Sequence, residues 1–428
     1  MKSGKLIIAD VCQFIGGSQP PKSTFSYIKL PNYVRLVQTR DFKTDAFPTY
    51  IHENSTTKFF TKDDIMIGRY GPPIFQIFRG MEGAYNVALL KAKPLKNILN
   101  DYLYYFLKQK EVFEYVDKLS ARTGGQTGVD LVSLYKYPIA LPTIENQKKI
   151  IAVLLSLDNK IELNNKINTE LEQMAKMLYD YWFVQFDFPD ANGKPYKSSG
   201  GKMVYNFSLK REIPLGWESG QLGDVGKVSM CKRVMKHETS SHEEIPFFKI
   251  STFGGDANTY ISRDLFELYR EKYSYPKRGD ILISAAGTIG KIVIFDGESS
   301  YFQDSNIVWI DNDESKIPNC FLFYYYQTEP WVATGGSTIK RLYNDNIRSL
   351  KTIFPNSEIL KQFSKIINPR LEKKHQIESE NKKIASLRDW LLPMLMNGQV
   401  TVGDAEEMVY EQLEMVAEGN VEYKKGEE

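Results

Sequence analysis

Only three cysteines occur among the 428 residues, and Cys12, Cys231 and Cys320 lie far apart along the chain. This spacing fits the reduced thiols of a cytoplasmic protein better than a disulfide framework. The longest apolar run, around residues 150–157, is far shorter than the roughly 20 residues that span a bilayer. The N-terminal segment has no long apolar core and no small-residue cleavage site, so we do not expect secretion.

Sequence motifs for catalysis and for metal binding are also missing. The chain has no GxxxxGK[ST] phosphate-binding loop, no HExxH pair and no CxxC pair, which argues against an ATPase and against a zinc site. Its histidines are scattered, and only His237 and His242 are close together in sequence. We also find no tetrapeptide or glycine-rich loop typical of a base methyltransferase. We therefore assign no catalytic residue and no metal ligand, and we expect a protein without catalytic activity of its own.

The formal net charge is only +2, so overall charge does not indicate a nucleic-acid partner. The charges are nevertheless unevenly distributed: residues 1–142 carry 19 Lys/Arg and 12 Asp/Glu, whereas residues 399–428 carry 2 and 9. One interpretation is an ordinary solvated acidic tail on a mildly basic protein. The other is an N-terminal lobe that meets phosphate and a tail that stays away from it.

The two halves of the chain resemble each other at an offset of about 208 to 220 residues. Short segments recur in the same order in both halves, which indicates an ancestral duplication. The clearest matches are KDDIMIGRYG from Lys62 with RGDILISAAG from Arg278, AYNVALL around Asn86 with DSNIVWI around Asn306, and TGGQTGVDL from Thr123 with TGGSTIKRL from Thr334.

Each repeat begins with a β-rich part and ends with a helical part. IFQIFRG and GKIVIF are short runs of β-branched and aromatic residues bounded by glycine, which is typical of strands. No glycine occurs between residues 144 and 191, where apolar residues recur at spacings of three and four, and this pattern predicts a long helix. The second repeat predicts a similar helix, which Pro369 should kink or cause to start late.

The two long helices carry apolar residues at heptad spacing. They could pack on the core of their own lobes, or pair with each other in antiparallel fashion with approximate two-fold symmetry. We favour pairing, in which buried asparagines fix the register and lower the stability somewhat. The predicted fold is therefore α+β, with two β-rich lobes, each followed by a long helix, and the two helices forming an antiparallel coiled coil. The predicted pairing residues are Leu154, Leu157, Ile161, Asn164, Asn168, Leu171, Ile377, Ile384 and Leu387.

Four segments are similar to parts of a known family. Residues 141–183, LPTIENQKKIIAVLLSLDNKIELNNKINTELEQMAKMLYDYWF, resemble the central helix of the specificity subunits of type I restriction–modification enzymes. IPLGWESGQLGDV (213–225) resembles the opening of that family's second recognition domain, RGDILISAAGTIGK (278–291) its recognition-domain hairpin, and LRDWLLPMLMNGQV (387–400) the end of its second helix. The order of these parts is more specific than any one motif, and the resemblance covers about residues 1–400.

The resemblance implies a division of labour in a prokaryotic cytoplasm. Such subunits read a bipartite site in double-stranded DNA, one half with each target recognition domain, across an unspecified spacer. Their helices set the spacer length and dock two modification subunits, which hold S-adenosylmethionine and methylate adenine. Restriction subunits that join the complex use ATP and Mg to translocate and cut DNA. This chain would hold no cofactor itself and would have no membrane partner.

The repeats and the resemblance together divide the chain into parts. A non-catalytic coiled-coil scaffold with two protein-binding lobes is the alternative function, and DNA affinity that falls steeply with salt would separate it from a DNA reader. The acidic tail has no counterpart in the family, and its role is open. The predicted parts are target recognition domain 1 (1–142), the central helix (143–185), a linker (186–216), target recognition domain 2 (217–355), the distal helix (356–398) and the acidic tail (399–428).

Candidate DNA-contacting residues are long polar or cationic side chains in loops, because Arg, Lys, Asn and Gln read base edges while Lys and Arg contact phosphates. A polar glycine loop ends each β-rich part, and it could either contact DNA or simply connect to the helix. The turn after IMIG supplies Arg69 and Tyr70, whose counterparts Ala285 and Ala286 are small, as expected if the lobes read different sequences. Lys249 and Lys291 are expected at phosphates rather than at bases. The full candidate set is Arg69, Tyr70, Arg122, Gln126, Lys249, Lys291, Ser337, Thr338, Lys340 and Arg341.

Overall fold

The structure is a computed structural model, and it describes most of the chain. The described residues are 6–71, 73–119, 122–123, 126–331 and 341–425. For residues 122–123, 126–127 and 414–425 only the backbone is described. The chain divides into two compact units, Met1–Leu163 with Glu380–Glu428 and Asn164–Ser379.

The first lobe, residues 6–142, is the β-rich part of the first unit. Its described strands are β1 (Cys12–Gly16), β2 (Tyr33–Val37), β3 (Tyr50–His52), β4 (Phe59–Phe60), β5 (Ile65–Gly68), β6 (Ile77–Phe78), β7 (Gly83–Tyr85), β8 (Leu89–Pro94), β9 (Arg122–Thr123) and β10 (Gln126–Thr127). One sheet has the order β1–β8–β5–β6, and another has the order β3–β2–β7–β4 with β2 parallel to β7. Its described helices are Ile8–Val11, Asn100–Lys108, Lys110–Leu119 and Leu131–Tyr135.

The second lobe, residues 217–355, repeats this topology. The described strands of the second unit are β11 (Met203–Asn206), β12 (Arg211–Pro214), β13 (Glu218–Gln221), β14 (Gly226–Ser229), β15 (Ile245–Phe248), β16 (Tyr260–Ile261), β17 (Ile281–Ser284), β18 (Ile292–Ile294), β19 (Tyr301–Phe302), β20 (Ile307–Asn312) and β21 (Lys351–Phe354). The order β14–β20–β17–β18 reproduces β1–β8–β5–β6, and β15 is parallel to β19 as β2 is to β7. Its described helices are Arg263–Lys272, Asn319–Gln327 and Asn344–Arg348. The matching strand orders support the predicted duplication.

The strand register corrects two of the sequence alignments between the repeats. Gly68 of β5 and Ser284 of β17 are matched by the alignment of KDDIMIGRYG with RGDILISAAG. Gly68 pairs with Leu89 and Ser284 pairs with Ile307, so Leu89 corresponds to Ile307. The alignment of AYNVALL with DSNIVWI had matched Leu89 with Trp309. Side chains alternate along a strand with a period of two, so a shift of two residues leaves the apolar pattern intact and sequence similarity does not expose it.

The same correction applies before the long helices. The Val129 amide donates to the Arg69 carbonyl, and the Leu342 amide donates to the Ala285 carbonyl. Val129 therefore corresponds to Leu342, and Gly128 corresponds to Arg341. The end of the alignment of TGGQTGVDL with TGGSTIKRL, which matched Arg341 with an aspartate, is therefore wrong by two residues, whereas the glycines of both TGG segments lie outside the described residues.

The central helix (Ile144–Tyr179) and the distal helix (Ser357–Asn397) are antiparallel within each unit. In the first unit Arg388 contacts Asp158, whereas Glu380, earlier in the distal helix, contacts Lys160, later in the central helix. Apolar side chains of both helices, including Leu154, join one core with strands β5 and β8. A fully buried leucine of this kind contributes about 1.5–3 kcal/mol relative to an exposed one.

The distal helix does not start late at Pro369, because it already begins at Ser357 and runs through the proline. A proline removes one backbone donor from the helix, and the remaining turns of this 41-residue helix keep it continuous. The guanidinium of Arg370 donates to the carbonyl of Ile366 in the same turn and adds a local hydrogen bond. The central helix ends in a π-helical turn, Asp180–Val184.

The segments predicted as a linker and as an acidic tail are both folded. Within residues 186–216, β11 and β12 form a hairpin, and Phe188 stacks on Trp217 with ring centroids 4.8 Å apart. The tail contains a helix, Val402–Lys425, whose Ala405 is fully buried in the core of the first unit. The acidic side chains that the structure describes in this helix, Asp404, Glu406, Glu407 and Glu411, are exposed.

Candidate nucleic-acid interface

A concave surface of the second lobe, with a volume of about 370 Å³, collects cations from separate segments of the chain. We call it the cationic pocket, and the cations that line it are Arg233, Lys236, Lys249 and Arg341. Because β15 and β19 are parallel neighbours, the residues that follow both strands emerge at one edge of the sheet. This places Lys249 near Gln303, although the two are far apart in sequence.

Each of three cations in the pocket is positioned by one protein acceptor. Arg233 Nε donates to Asp304 Oδ2 at 2.9 Å, and Lys249 Nζ donates to Thr259 Oγ1 at 3.0 Å. Arg341 donates through Nη2 to the Ser305 carbonyl at 2.8 Å. A guanidinium has five N–H donors and an ammonium has three, so each cation has more donors than these contacts use. The pocket therefore suits a ligand rich in hydrogen-bond acceptors, such as a phosphate or the edge of a base.

The first lobe has different side chains at the corresponding point. Gly128 takes the place of Arg341, and a Cβ there would come within 3.1 Å of the Tyr70 ring. The guanidinium of Arg69 lies 5.1 Å from the centroid of that ring. Tyr70 thus covers the glycine in the first lobe, whereas in the second lobe the residues at these two positions are the small Ala286 and the long Arg341.

Among the predicted DNA-contacting residues, the structure brings Lys249 and Arg341 together in the cationic pocket. Lys291 lies elsewhere in the second lobe, where its Nζ donates to the Phe253 carbonyl at 2.5 Å and its side chain packs beside Gly254. That contact gives Lys291 a structural role in holding a loop.

The polar glycine loops are described only in part. Arg122 and Gln126 lie in the two-stranded pairing of β9 with β10, and their side chains fall outside the described residues. Ser337, Thr338 and Lys340 also lie outside the described residues. Their predicted contacts with DNA stay predictions.

Sequence reasoning missed most of the pocket, including two of its cations and two of its amides. Arg233 and Lys236 follow β14, and Gln303 and Asn306 follow β19, so only the folded sheet brings them together. One signal was available in the sequence, because Lys22 stands at an offset of 214 residues from Lys236, within the range that the repeats define.

The predicted pairing residues fall into two groups. In the first unit Leu154, Leu157 and Ile384 are fully buried, and Ile161 and Leu387 pack at the edge of the same core. In the second unit the buried members are Asn164, Asn168 and Ile377, and Leu171 is half-buried. The buried side-chain oxygen of Asn168 has no hydrogen-bond partner among the described residues.

Charged links differ between the two parts of the helix pair. In the first unit Asp158 accepts from Arg388 at 2.7 Å and from the Tyr105 hydroxyl at 2.7 Å. Burial acts to raise the pKa of Asp158, but these hydrogen bonds outweigh it and the pKa lies below its usual value. In the second unit Lys374 Nζ lies 2.5 Å from Glu172, a carboxylate with a side chain that is 48% exposed.

The cysteines and acidic residues form no reactive centre in the described part of the chain. Burial raises the pKa of Cys12 and of Cys231 to about 12 and that of Cys320 to about 11, so these thiols stay protonated at neutral pH. Among the described residues, no three His, Cys, Asp or Glu side chains are grouped as metal ligands would be. Nor does any described helix combine the length and the apolar character that crossing a bilayer requires.

The structure therefore combines two duplicated β-rich lobes and a pair of antiparallel helices with a cationic pocket on the second lobe. A family model described as the type I restriction modification DNA specificity domain matches the chain twice, over residues 5–173 and 214–388. The chain therefore belongs to the family of type I restriction–modification specificity subunits.

Individual relatives show how far this similarity extends. The type I restriction enzyme MjaIX specificity subunit of Methanocaldococcus jannaschii is 29% identical over 418 residues, which cover 92% of this chain and 93% of that protein. A Haemophilus influenzae protein described as a type I restriction enzyme specificity subunit is 59% identical over 135 residues, but the match spans only 35% of its length. The crystal structure of the type I restriction–modification S subunit from M. genitalium shares the fold, with a TM-score of 0.54 and 15% identity over 92% of this chain and 96% of that one.

Proposed function

We propose that this chain binds a bipartite site in double-stranded DNA, one half with each lobe, and thereby directs a type I restriction–modification complex to its sequence. The observation that carries this proposal is the cationic pocket, which lies within one of two copies of a DNA specificity domain. Cations held by neighbouring acceptors can contact phosphates and base edges without rearranging.

We further propose that the long helices dock two modification subunits. The central helix carries apolar side chains that this chain leaves uncovered, with Met174 54% and Met177 69% exposed, and Val184 of the π-helical turn is also exposed. Met174 and Met177 line one concave surface together with Tyr181, and an exposed apolar surface of this kind is typical of a protein-interaction site. Restriction subunits would join the same complex.

The proposal gives this chain no catalytic step and no cofactor. Its partners would hold S-adenosylmethionine for adenine methylation, and the restriction subunits would hold ATP and Mg for translocation and cleavage. The complex would act in the cytoplasm of a prokaryotic cell, because its DNA target lies there.

Methylation sequencing of DNA from cells that co-express the chain with its modification subunit tests this function directly. We expect methyladenine at one split motif, lost when this chain is removed, and we expect replacement of residues 1–142 to change one half only. If removal leaves every methylated motif intact while the modification subunit is active, the chain does not direct methylation, and the protein-binding scaffold becomes the better account.

Salt dependence separates the two functions in solution. When the protein neutralises a phosphate, counterions are released. Each such contact makes the slope of log affinity against log salt concentration more negative by about 0.9. In the assembled complex, Lys236→Gln should make this slope less negative by about that amount without changing the preferred sequence. Lys272→Gln, at an exposed lysine that does not line the pocket, is the matched control. A salt-independent affinity would contradict DNA binding by phosphate contacts.

A further inference from the structure

The two lobes can be compared residue by residue around the cationic pocket, because the same backbone hydrogen bonds recur. Ser26 and Tyr50 exchange two backbone hydrogen bonds in the first lobe, as Ser240 and Tyr260 do in the second. The pairing of β2 with β7 and of β15 with β19 matches in the same way. Positions in the two lobes are therefore equivalent by geometry, and the differences between their side chains can be interpreted.

One cation of the pocket is retained in both lobes. Lys22 begins a short 3-10 turn in the first lobe, and Lys236 begins the equivalent turn in the second. Both side chains are exposed. Every half-site has a phosphate backbone whatever its sequence, so a phosphate contact is expected to keep its charge in both copies.

Two other positions exchange an amide for a cation. Three residues before the 3-10 turn, the first lobe has Gln19 and the second lobe has Arg233. After the parallel strand, the first lobe has Gln38 and the second has Lys249. Lobes that read different half-sites are expected to differ at the residues that read bases, and these two positions differ in that way.

For Gln38 and Lys249 the equivalence extends to the residue that anchors the side chain. Gln38 donates through Nε2 to Thr49 Oγ1 at 3.5 Å, and Lys249 donates through Nζ to the corresponding hydroxyl of Thr259 at 3.0 Å. The backbone amides of the β2 and β15 residues Leu36 and Phe247 donate to the carbonyls of the same two threonines. The same backbone hydrogen bonds thus position a glutamine amide in the first lobe and a lysine ammonium in the second.

The two kinds of side chain recognise different bases. A glutamine amide pairs with N6 and N7 of adenine, whereas arginine or lysine donates to O6 and N7 of guanine in the major groove. Both exchanges run in the same direction, from an adenine reader in the first lobe to a guanine reader in the second. Asp304 holds Arg233 by its Nε and leaves the Nη groups of the fork for the base.

We propose that the second lobe reads a guanine with Arg233 and Lys249. At the equivalent point of the first half-site, the first lobe reads an adenine with Gln19 and Gln38. This inference rests on the proposed function and adds the base that each lobe recognises. It also reassigns Lys249, which the sequence placed at a phosphate.

A reciprocal exchange tests the inference in the complex with the modification subunits. Arg233→Gln with Lys249→Gln gives the second lobe the amides of the first, and Gln19→Arg with Gln38→Lys does the reverse. The methylated motif is then read by sequencing in cells. We expect the first pair to lower the preference for guanine over adenine at one position of the second half about 10- to 100-fold and to leave the first half unchanged. The reverse pair should alter only the first half.

Lys22→Gln and Lys236→Gln are the matched controls, because they remove one charge each beside the exchanged positions. They should lower methylation at all sites by a similar factor and leave the motif unaltered. If the Arg233 and Lys249 pair behaves like these controls, the exchanged cations contact phosphate and the inference is overturned.

The single variants Arg233→Gln and Lys249→Gln keep the test valid if a double variant fails to fold. Each should relax the same position of the second half by a smaller factor, and a single variant with an unaltered motif would also overturn the inference. A wild-type chain that directs no motif at all would instead contradict the proposed function.

Discussion

In the first lobe β2 runs beside β7 with Leu36 opposite Ala84, and in the second lobe β15 runs beside β19 with Phe247 opposite Tyr301. The backbone pairing is the same, yet the side chains differ. The second lobe has larger side chains in the core and cations at surface positions where the first lobe has amides. Backbone hydrogen bonds therefore set the position of each residue, and the side chain at that position can change without altering the backbone pairing. A duplicated fold can in this way present two different surfaces to two different half-sites.

The helix pair shows a second contrast. In the first unit its contacts include the ionic link of Asp158 with Arg388, whereas in the second unit Phe183 lies 4.8 Å from Phe321 and 4.9 Å from Phe363 between ring centroids. Stability in the first unit should therefore respond to pH, and stability in the second unit should respond chiefly to the removal of apolar volume.

The largest effect is expected from truncating the aromatic cluster. Phe183→Ala should lower the free energy of unfolding of the second unit by about 3–5 kcal/mol, because it removes a ring that is 1% exposed and leaves a cavity. Leu391→Ala, at the corresponding place in the first unit, should cost about 2–5 kcal/mol there. Amide hydrogen exchange reports the two units separately. Equal loss of protection in both units from either variant would show that the two units do not unfold separately.

Asp158→Asn is expected to come next. The variant weakens hydrogen bonds from Arg388 and Tyr105 to a carboxylate that is 22% exposed, which should cost about 1–3 kcal/mol. Because the folded pKa of Asp158 is lowered, its contribution is present above the unfolded value of about 3.9 and is lost as the pH falls below it. The free energy of unfolding, measured with urea, should therefore fall more between pH 5 and pH 3 for the wild type than for the variant. Asp180→Asn, on a more exposed carboxylate, is the control.

Asn168→Leu should stabilise the second unit by about 1 kcal/mol, because it removes a buried oxygen that has no partner among the described residues. Gln173→Leu, on an exposed residue of the same helix, should change the stability by less than about 0.5 kcal/mol. The melting temperature gives the measurement. Destabilisation by Asn168→Leu would indicate that the amide has a role in the helix pair that the contacts do not explain.

The smallest effect is expected from Glu172→Gln. Its partner Lys374 also contacts Glu378, and the half-exposed pair should contribute about 0.2–1 kcal/mol. Salt screens an exposed pair more than a buried one, so the effect should vanish in 1 M salt, whereas that of Asp158→Asn should persist. If Glu172→Gln lowered the stability as much as Asp158→Asn does, burial would not explain the difference between the two ion pairs.

The sequence predicted the long helices well, because their apolar pattern continues over many turns. Spacings of three and four, sustained over many turns, predicted helices over 143–185 and 356–398, and the structure has them over Ile144–Tyr179 and Ser357–Asn397. Short strands were harder, because a match between alternating apolar residues survives a shift of two residues, and Leu89 was therefore aligned with Trp309 rather than with Ile307. Arg341 was aligned with an aspartate rather than with Gly128 because the alignment was set by the repeated TGG letters.

The pocket was largely hidden for a different reason. Arg233 and Asp304 are 71 residues apart, and the antiparallel pairing of β14 with β20, in which Ser229 lies opposite Trp309, brings the residues just beyond it together. No local pattern records such a pairing. The helix Val402–Lys425 was missed because its acidic residues dominate the composition, while the apolar Ala405 and Val409, four residues apart, mark its buried side.

The division of the chain into units has a consequence for synthesis on the ribosome. The second unit is continuous, from Asn164 to Ser379, whereas the first unit is completed only by residues after Glu380. At roughly 5–20 residues per second, more than 200 residues separate Leu163 from Leu391, so the apolar side of the first half of the central helix waits about 10–45 seconds for its partner. The half of the protein that is made first is therefore the last to close its core.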